Sequence, residues 1–525
     1  MLTNDKLPDN PEELKAIILG MDEKYRLHIE SLEQQIRILK KAIFGPKSEK
    51  RPVEEEGPSQ LHLFNEVEVL VEQVAQKPQV IPEHTRQKPK RKPLPQDLPR
   101  IEVIHDIDKS EKVCQCGAEL SRIGEEVCEK LDYIPAKLQV IRHIRPKYAC
   151  KNCEGVESDG PTVKIAPPPP EIIPKGIATP GLIAHVAVSK YCDALPLYRQ
   201  EKIFSRYGID LTRSTMAGWI VKVTECCNPL MHLHYRELQS GPLVNIDETP
   251  LQVLNEPGRA NTTKSYMWVF RGGPPDKPII IFRYSETRSG EVPREVLTGY
   301  SGYCQTDAFS GYNGLEDANP GIRLVGCFAH ARRNFIKVID ARGKSAKNKP
   351  GSAEVALEYI GRLYKIEKLA RQRELSAEEI VCLRKEQAVP VLEEFKAWMD
   401  KRIDRTPPKG LLGQALNYAL TRWPKLIRYI ENGYITPDNN AAENAIRPFV
   451  VGRKNWLFSG HPNGAHASAT LYSLIETAKA SGLEPYQYLH FLFSKIPYAK
   501  TEKDYRALMP RNLTAEILCR LMATA

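Results

Sequence analysis

Three acidic residues lie where they could hold divalent cations for phosphoryl transfer. Asp247 ends a short apolar strand in GPLVNIDETPLQV, and Asp307 ends another strand in SGYCQTDAFSGYNGL. Glu443 lies far downstream, on a helix predicted to start near Asp438 and to end at Pro448. Mg²⁺ prefers oxygen ligands, and two such ions about 4 Å apart can activate an attacking oxygen and stabilise a departing one. Each acid alone is more typical of a turn or strand-end carboxylate, so only their combination favours a catalytic site.

Polar residues near these acids could assist the same chemistry. Glu248 follows Asp247 in a strand, so its side chain is expected on the opposite face, in a supporting position. His330 opens a helix with Arg332 and Arg333, and a buried structural role is favoured over catalysis because two-metal chemistry needs no imidazole base. Three basic residues further along the chain could hold DNA phosphates or form a solvated basic surface: Arg447, Arg453 and Lys454.

Four cysteines have the spacing of a structural zinc site. Cys114 and Cys116 form a C-x-C pair, and Cys150 and Cys153 form a C-x-x-C pair. Structural zinc is often held by four thiolates in a tetrahedron, and two close pairs supply two thiolates each. Unmetallated thiols are the alternative, and Cys128 is a spare cysteine that could replace one ligand.

Strand and helix patterns surround these residues. KSYMWVFRGG and KPIIIFRYS predict two further strands, and LVGCFAHARRNF predicts a strand that passes into a helix. Apolar residues three and four apart, with strong helix formers between them, predict a helical insertion over 345–425. Plain helix packing explains the apolar stripe of that insertion, and a DNA or partner contact is the alternative. Between the cysteine pairs, alternating side chains over 138–143 predict one strand of a small ribbon.

Three short helices before the strands have the pattern of a helix-turn-helix. Helices are predicted over 181–189 and 197–207, and a third, capped by Thr212 or Ser214, runs to about Val223. The last helix of such a motif can lie in a DNA major groove, although many helical hairpins share the pattern without binding DNA. The residues predicted to contact DNA at the start of this helix are Arg213, Ser214 and Thr215.

The N-terminal part of the chain predicts association and a linker. Apolar residues recur at alternating spacings of four and three within 12–44, which predicts a coiled coil that drives self-association. A single amphipathic helix is the alternative. Residues 45–100 are rich in proline, lysine and arginine and predict an extended, solvated linker. Its basic stretch, 86–100, could also contact DNA.

Composition excludes several classes of protein. The 525 residues carry a net charge of +10, and 42% are hydrophobic and 27% charged, so wholesale disorder and fibrous structure are excluded. The length predicts about three or four folded units. Apolar runs are shorter than the roughly 18–20 residues of a membrane helix, and the N-terminus lacks the apolar segment of a signal peptide. We therefore expect a cytoplasmic protein, and the charge is compatible with a polyanionic partner without establishing one.

Several long strings, in the same order and over nearly the whole chain, resemble the insertion-sequence-66 family of bacterial transposases. They are IDET at Asp247, TDAFSGYNGL at Asp307, CFAHARRNF at 327–335, NNAAENAIRPFVVGRKNWLFSG at 439–460 and LYSLIETAKASGLEPYQYL at 471–489. Two features depart from the pattern of relatives. The first cysteine pair is C-x-C where many relatives have C-x-x-C, and HPNGAHA follows LFSG where relatives commonly have a Gly-rich string.

The resemblance implies a multidomain α/β protein whose RNase H-like (retroviral-integrase-like) catalytic core carries a helical insertion. It implies an Asp-Asp-Glu triad, formed here by Asp247, Asp307 and Glu443, with two Mg²⁺ or Mn²⁺ ions. Ahead of the core it implies a coiled coil, a module with structural Zn²⁺ and a helix-turn-helix that recognises transposon ends. The expected reaction is hydrolysis at the transposon 3′ ends, followed by strand transfer into target DNA. The expected partners are double-stranded DNA and further copies of the chain at the nucleoid, with accessory transposition proteins as candidates.

Two alternatives to a transposase remain at this stage. A nuclease of the same core would cut without strand transfer, and a non-catalytic regulator would use only the zinc and helix-turn-helix modules. The three acids argue against the regulator but do not separate the nuclease from the transposase.

The predicted domains are a coiled coil at 12–44, a flexible linker at 45–100, a zinc-binding module at 101–160, a helix-turn-helix domain at 165–235, the first part of the core at 241–344, the helical insertion at 345–425, the second part of the core at 426–490 and a C-terminal helical tail at 491–525.

Overall fold

The computed structural model describes residues 138–149, 163–307, 309–342 and 351–523, together with Asn10, Lys15, Ile29 and Ile36. The chain divides into two compact units, Met1–Val67 with Pro170–Ala525 and Glu68–Pro169. Most of the predicted coiled coil lies outside the described residues, and its three described positions, Lys15, Ile29 and Ile36, are helical. Also outside them are the predicted linker and five cysteines: Cys114, Cys116, Cys128, Cys150 and Cys153.

In the smaller unit, two short strands form an antiparallel pair. They are β1, Lys147–Ala149, and β2, Val163–Ile165, with Tyr148 opposite Lys164. The strand predicted over 138–143 is wrong, since residues 138–146 have no regular secondary structure. Val140 in that stretch is 94% exposed. Alternation of side chains predicts a strand only where a neighbouring strand pairs with it, and the described part of this unit contains no such neighbour for 138–143.

The larger unit contains a mixed five-stranded sheet. Its strands are β3 (Leu243–Gln252), β4 (Lys264–Gly272), β5 (Ile279–Ser285), β6 (Gly302–Gln305) and β7 (Ile322–Val325). The order across the sheet is β5-β4-β3-β6-β7; β5, β4 and β3 pair antiparallel, whereas β3, β6 and β7 pair parallel. The sequence predicted all five strands, but it ended β3 at Asp247 and Glu248. The strand continues to Gln252 because β4 pairs with it along that whole stretch.

The helices of the larger unit surround this sheet and extend beyond it. They are α1 (Pro180–Tyr191), α2 (Leu197–Arg206), α3 (Arg213–Cys226), α4 (Asn228–Leu238), α5 (Glu291–Val296), α6 (Leu315–Ala318), α7 (Phe328–Arg342), α8 (Ser352–Gln372), α9 (Ala377–Leu383), α10 (Val389–Ile403), α11 (Leu411–Leu426), α12 (Asn440–Trp456), α13 (Pro462–Ala480), α14 (Pro485–Lys495), α15 (Glu502–Ala507) and α16 (Ala515–Ala523). Among the described residues, none of these helices is both long and apolar enough to cross a membrane.

Helices α1 to α3 lie where the sequence predicts three helices. Gly208, with a φ of +74°, makes the turn after α2, a conformation that a residue with a Cβ atom adopts only with strain. Thr212 caps α3, because its hydroxyl accepts a hydrogen bond from the backbone N–H of Thr215 at 3.3 Å. Buried residues of these helices, such as Ile183 and Val223, belong to the same hydrophobic core as the sheet. No break in the core therefore coincides with the predicted boundary between 235 and 241.

Helix α13 protects the edge of the sheet formed by β5. An edge strand leaves backbone N–H groups unpaired, and these groups can pair with other chains. The hydroxyl of Ser473 accepts a hydrogen bond from the Phe282 N–H at 2.8 Å, and that of Thr477 accepts one from the Ile280 N–H at 3.0 Å. Two hydroxyls on one helix therefore accept hydrogen bonds from backbone N–H groups that the edge strand would otherwise leave unpaired.

The segment predicted as a helical insertion contains α8 to α11. It has a second hydrophobic core, in which Phe395 contacts Tyr359 and Trp423 at ring-centroid distances of 5.1 and 5.6 Å. Arg384, in a π-helical turn after α9, is buried and pairs with Glu367 at 2.7 Å. Helix α7 contributes Phe335 to the same core, so the insertion is anchored on the helix that follows β7.

Helix α12 continues past the proline that was predicted to end it. Pro448 lies inside this helix, which runs to Trp456. A proline removes one backbone hydrogen bond and clashes with the carbonyl four residues earlier. The adjacent Phe449 is fully buried, however, and packs on Phe282 and Tyr472 at ring distances of 6.2 and 5.3 Å. Burial of this helix face outweighs the local cost, and α12 packs along β3 and β4.

Candidate active site

The two aspartates are brought together by neighbouring parallel strands. Asn245 on β3 is paired in register with Gln305 on β6, and each predicted aspartate follows two residues later on its own strand or just beyond it. Parallel strands run side by side in the same direction, so equal offsets from one register pair keep Asp247 and Asp307 near each other. The local sequence supplies the acids, and the register supplies their proximity.

A buried amide network fixes the helix that carries Glu443 against these strands. The Asn245 side-chain amide donates to Gln305 Oε1 at 2.9 Å and to Asn439 Oδ1 at 3.1 Å. The Asn439 amide donates to the Ile246 carbonyl at 2.8 Å, directly before Asp247. Buried amides are costly unless they are paired, so this network holds the start of α12 in one position on β3. Glu443 lies in the first turn of that helix and is buried.

Sequence reasoning did not identify these amides as part of the site. A signal was available, because Asn245 and Gln305 each stand two residues before an acid in a strand that is otherwise mostly apolar. Residues two apart in a strand share a face of the sheet. Asn245 therefore shares a face with Asp247, and Gln305 shares a face with the position of Asp307.

The other acids of the site affect the ionisation of Asp247. Burial, together with the negative charges of Glu248, Glu443 and Asp307, raises the pKa of Asp247 to about 8, although a hydrogen bond from the Glu248 N–H opposes this rise. The pKa of Glu443 is also raised, first by burial and then by Asp438 and Asp307, against the opposing charge of Arg333. Asp307 and Glu443 therefore lie near enough to Asp247 for their negative charges to raise its pKa, and Arg288 beside Asp307 and Arg333 beside Glu443 compensate that charge only in part.

Glu248 occupies a different environment from its neighbour. Its carboxylate accepts hydrogen bonds from Arg288 Nε at 2.6 Å and from the Tyr312 hydroxyl, and its side chain is 1% exposed. Arg288 Nη2 also lies 3.9 Å from Asp307 Oδ2, and its guanidinium stacks on the Phe309 ring at 3.7 Å. Glu248 thus contacts the loop of Asp307 through Arg288, a partner that sequence reasoning did not identify.

The helix after β7 brings basic, thiol and imidazole groups to Glu443. Arg333 Nη2 donates to both carboxylate oxygens of Glu443, at 3.1 and 3.2 Å, and Arg333 Nη1 lies 3.3 Å from His330 Nε2. Burial, with the charge of Arg333, lowers the pKa of His330 to about 4, so the ring is neutral at pH 7. Cys327, His330 and Glu443 each place one donor atom within 4.8 Å of the others. The sequence predicted a buried His330 but did not connect Cys327 or Arg333 to Glu443.

Four family models match the chain. The model described as the transposase IS66 family matches residues 175–467, more than half of the chain, which includes all three carboxylates. The chain belongs to the IS66 family of transposases. The other three models are the zinc-finger binding domain of transposase IS66 at 111–154, the transposase C of IS166 homeodomain at 31–103 and the IS66 C-terminal element at 473–510.

Relatives that match most of this IS66-family chain occur in Sinorhizobium fredii. The protein y4jD is 32% identical over 538 residues, 98% of each chain, and y4qI is 30% identical over 550 residues, again 98% of each. The protein y4hP is 29% identical over 502 residues, 91% of this chain and 88% of its own. These relatives are named as uncharacterized proteins, so the family assignment comes from the models and from similarity along the whole chain.

The family matches also bear on zinc, DNA and the N-terminal segment. The zinc-finger match covers the four predicted ligands, Cys114, Cys116, Cys150 and Cys153, which supports structural zinc in this transposase. The transposase and homeodomain matches support DNA as the partner and a coiled coil near the N-terminus.

The structure places the predicted DNA-contacting residues in two regions. Arg213, Ser214 and Thr215 are exposed at the start of α3. On α12, Arg453 donates to the Thr249 hydroxyl at 3.0 Å, two residues beyond Asp247 on β3. The other two basic residues of α12 are Arg447, which is half-buried, and Lys454, which is exposed.

Proposed function

We propose that this protein is a DNA transposase that cleaves transposon 3′ ends and joins them to target DNA through an RNase H-like core. The observation that carries the proposal is the cluster of Asp247, Asp307 and Glu443, assembled from two adjacent parallel strands and a helix packed on them. Membership of a transposase family supports a role for these acids in phosphoryl transfer on DNA. The mixed sheet, with the two aspartates on neighbouring strands, supports the proposed core.

The donor set of this cluster fits hard divalent cations. All three proposed ligands are carboxylates, and Mg²⁺ and Mn²⁺ favour oxygen ligands. Burial among like charges holds the pKa of Asp247 near 8, so a bound cation would favour its ionised form. When bound, two Mg²⁺ or Mn²⁺ ions supply Lewis-acid stabilisation of the attacking and leaving oxygens.

Residues around the triad position it and neutralise part of its charge. The amides of Asn245 and Asn439 hold β3 and α12 together, so the backbone that carries Asp247 and Glu443 is fixed. Arg333 donates to both carboxylate oxygens of Glu443. Arg453, beside Thr249, lies where it could hold a DNA phosphate close to the reacting bond.

We assign end recognition and assembly to the N-terminal segments. The exposed start of α3 would contact the transposon end through Arg213, Ser214 and Thr215. Self-association would use the predicted coiled coil, in which Ile29 and Ile36 are 56% and 51% exposed in the single chain. Such exposure of predicted seam positions supports a role in contacting further copies.

The test is cleavage and joining of duplex DNA that carries the element's own ends. Full-length protein with Mg²⁺ should nick the 3′ ends and join them to target DNA, and Mg²⁺-free buffer should abolish both. Asp247→Asn, Asp307→Asn and Glu443→Gln should each retain DNA binding while both reactions fall together. Cleavage without joining would identify a nuclease. No cleavage by the parent protein with metal, despite specific end binding, would identify a regulator and contradict the proposal.

A further inference from the structure

Three donor atoms of different chemistry converge beside the carboxylate cluster. Cys327 directly precedes α7 and His330 lies in its first turn, three residues later, and Glu443 approaches them from α12. One atom from each lies within 4.8 Å of the other two. Nδ1 of His330 is shielded from solvent and has no hydrogen-bond partner among the described residues. A buried ring nitrogen without a partner is unusual and calls for an explanation.

This donor set suits a different metal from that of the carboxylate cluster. Mg²⁺ takes oxygen ligands, whereas thiolate and imidazole favour Zn²⁺ and similar transition metals. With bonds of about 2.0–2.3 Å in a tetrahedron, zinc ligand atoms stand roughly 3.3–3.8 Å apart. The observed limit of 4.8 Å is therefore within reach of small side-chain rotations. Three protein ligands and one water are the pattern of an open zinc site.

We propose that Cys327, His330 and Glu443 bind a transition metal such as Zn²⁺, and that this metal inhibits the transposase by taking Glu443 from the Mg²⁺ centre. The binding stands on the donor geometry, whereas the inhibition rests on the proposed function. This Zn²⁺ would be a second zinc ion, separate from the one expected at the cysteine pairs 114/116 and 150/153.

Binding of the metal ion requires two local changes, the loss of one proton and the movement of one side chain. The Cys327 thiol releases its proton to solvent, since the thiolate is the metal ligand. Arg333 leaves the Glu443 carboxylate, to which it donates at 3.1 and 3.2 Å, and turns toward solvent, to which its side chain is already 47% exposed. One thiolate, one carboxylate and a neutral imidazole then balance the charge of the divalent cation.

Cobalt spectroscopy tests the site without DNA and without activity. Co²⁺ is added to full-length protein whose zinc module is loaded, and the thiolate-to-cobalt charge-transfer band is recorded. We expect about one further Co²⁺ per chain, with the band lost in Cys327→Ser. His330→Gln and Glu443→Gln should each weaken Co²⁺ binding at least tenfold. Cys382→Ser is the matched control, because Cys382 is an exposed thiol in the insertion, and it should bind Co²⁺ as the parent does.

The inhibition has a separate readout. Zn²⁺ titrated into the Mg²⁺-dependent cleavage reaction should inhibit the parent and Cys382→Ser alike. Inhibition should need at least tenfold more Zn²⁺ in Cys327→Ser, with each variant compared to its own rate in Mg²⁺ alone. A cobalt band that persists in Cys327→Ser, or unchanged Co²⁺ affinity in His330→Gln, overturns the metal site. A Cys327-dependent band in a protein that never cleaves DNA overturns the proposed function and the inhibition, and leaves the metal site standing.

Discussion

Asp247 and Glu248 are adjacent acids on one strand, yet only Glu248 has a cation beside it. Glu248 is paired with Arg288 and accepts a hydrogen bond from Tyr312. Asp247 has no ion pair among the described residues and instead meets the negative charges of Glu248, Glu443 and Asp307. Burial raises the pKa of both acids, but at Glu248 the cation and the hydroxyl oppose that rise.

The difference shows how a structural acid, which is paired with a basic side chain, can be distinguished from an acid suited to bind a metal cation. Alternation along a strand sends neighbouring side chains to opposite faces. Glu248 has a counter-charge in Arg288, whereas Asp247 meets carboxylates from two further elements. A group of acids whose negative charge is only partly compensated is what a divalent cation stabilises, and a fully paired acid has little to gain from one.

The largest expected contrast is in catalysis. Asp247→Asn should lower Mg²⁺-dependent strand cleavage by at least about 10²–10³, because it weakens a metal ligand needed most in the transition state. Glu248→Gln should lower cleavage by less than about tenfold, since it only loosens the contact of Arg288 with the Asp307 loop. Single-turnover cleavage of end-bearing duplex measures both. Equal losses of cleavage rate in the two variants would show that Asp247 and Glu248 do not have different roles.

Stability should also differ between the same two variants. Without Mg²⁺ at pH 8, Asp247→Asn removes a charge that is buried among like charges and should raise the free energy of unfolding by about 1–3 kcal/mol. Glu248→Gln also removes a buried charge, but it leaves Arg288 with a neutral partner, so the two effects oppose each other and the net change should be about 1 kcal/mol or less. Denaturant unfolding measures the difference. Glu295→Gln is the matched control, because Glu295 pairs with Arg283 at the surface and should change stability by less than about 1 kcal/mol.

The raised pKa of Asp247 also predicts how Mg²⁺ binding depends on pH. Because the folded pKa is near 8 and the unfolded value is about 3.9, this group lowers the stability of the Mg²⁺-free protein as pH rises between these values. Mg²⁺ must displace the bound proton, so its affinity should rise by up to about tenfold per pH unit from 6 to 8 and then level off. Isothermal titration of the parent and of Asp247→Asn measures this dependence. A parent affinity that is flat with pH would show that Asp247 is ionised without metal.

The smallest expected effect is at Arg288. Arg288→Lys keeps the positive charge beside Glu248 but loses the planar fork and the stacking on Phe309, so we expect a loss of about 1 kcal/mol or less. Denaturant unfolding of Arg288→Lys and of Glu248→Gln, measured side by side, gives this loss in the free energy of unfolding. A loss well above that of Glu248→Gln would mean that the guanidinium geometry, rather than its charge, holds Glu248 and the Asp307 loop together.

The amino-acid sequence by itself determined the positions of the five strands of the larger sheet, the helices of the insertion and the three helices before that sheet, but not the strand pair of the smaller unit. These elements follow from local hydrophobic periodicity and turn residues, which act over a few neighbouring residues. The acids could also be selected from the sequence, because Asp247 and Asp307 interrupt or follow apolar strands and Glu443 begins a helix. Resemblance of long strings supplied the family, which the family models confirm.

Only the tertiary structure decided which residues meet. The pairing of β4 extended β3 beyond Asp247, and burial of Phe449 carried α12 past Pro448, against the local preference of proline. The contacts of Arg288 with Glu248, of Arg333 with Glu443 and of Asn245 with Asn439 join residues far apart in the chain. No local pattern encodes such distances, because they arise from the register of strands and the docking of helices. The same docking places Cys327 and His330 beside Glu443, where a second metal chemistry becomes available.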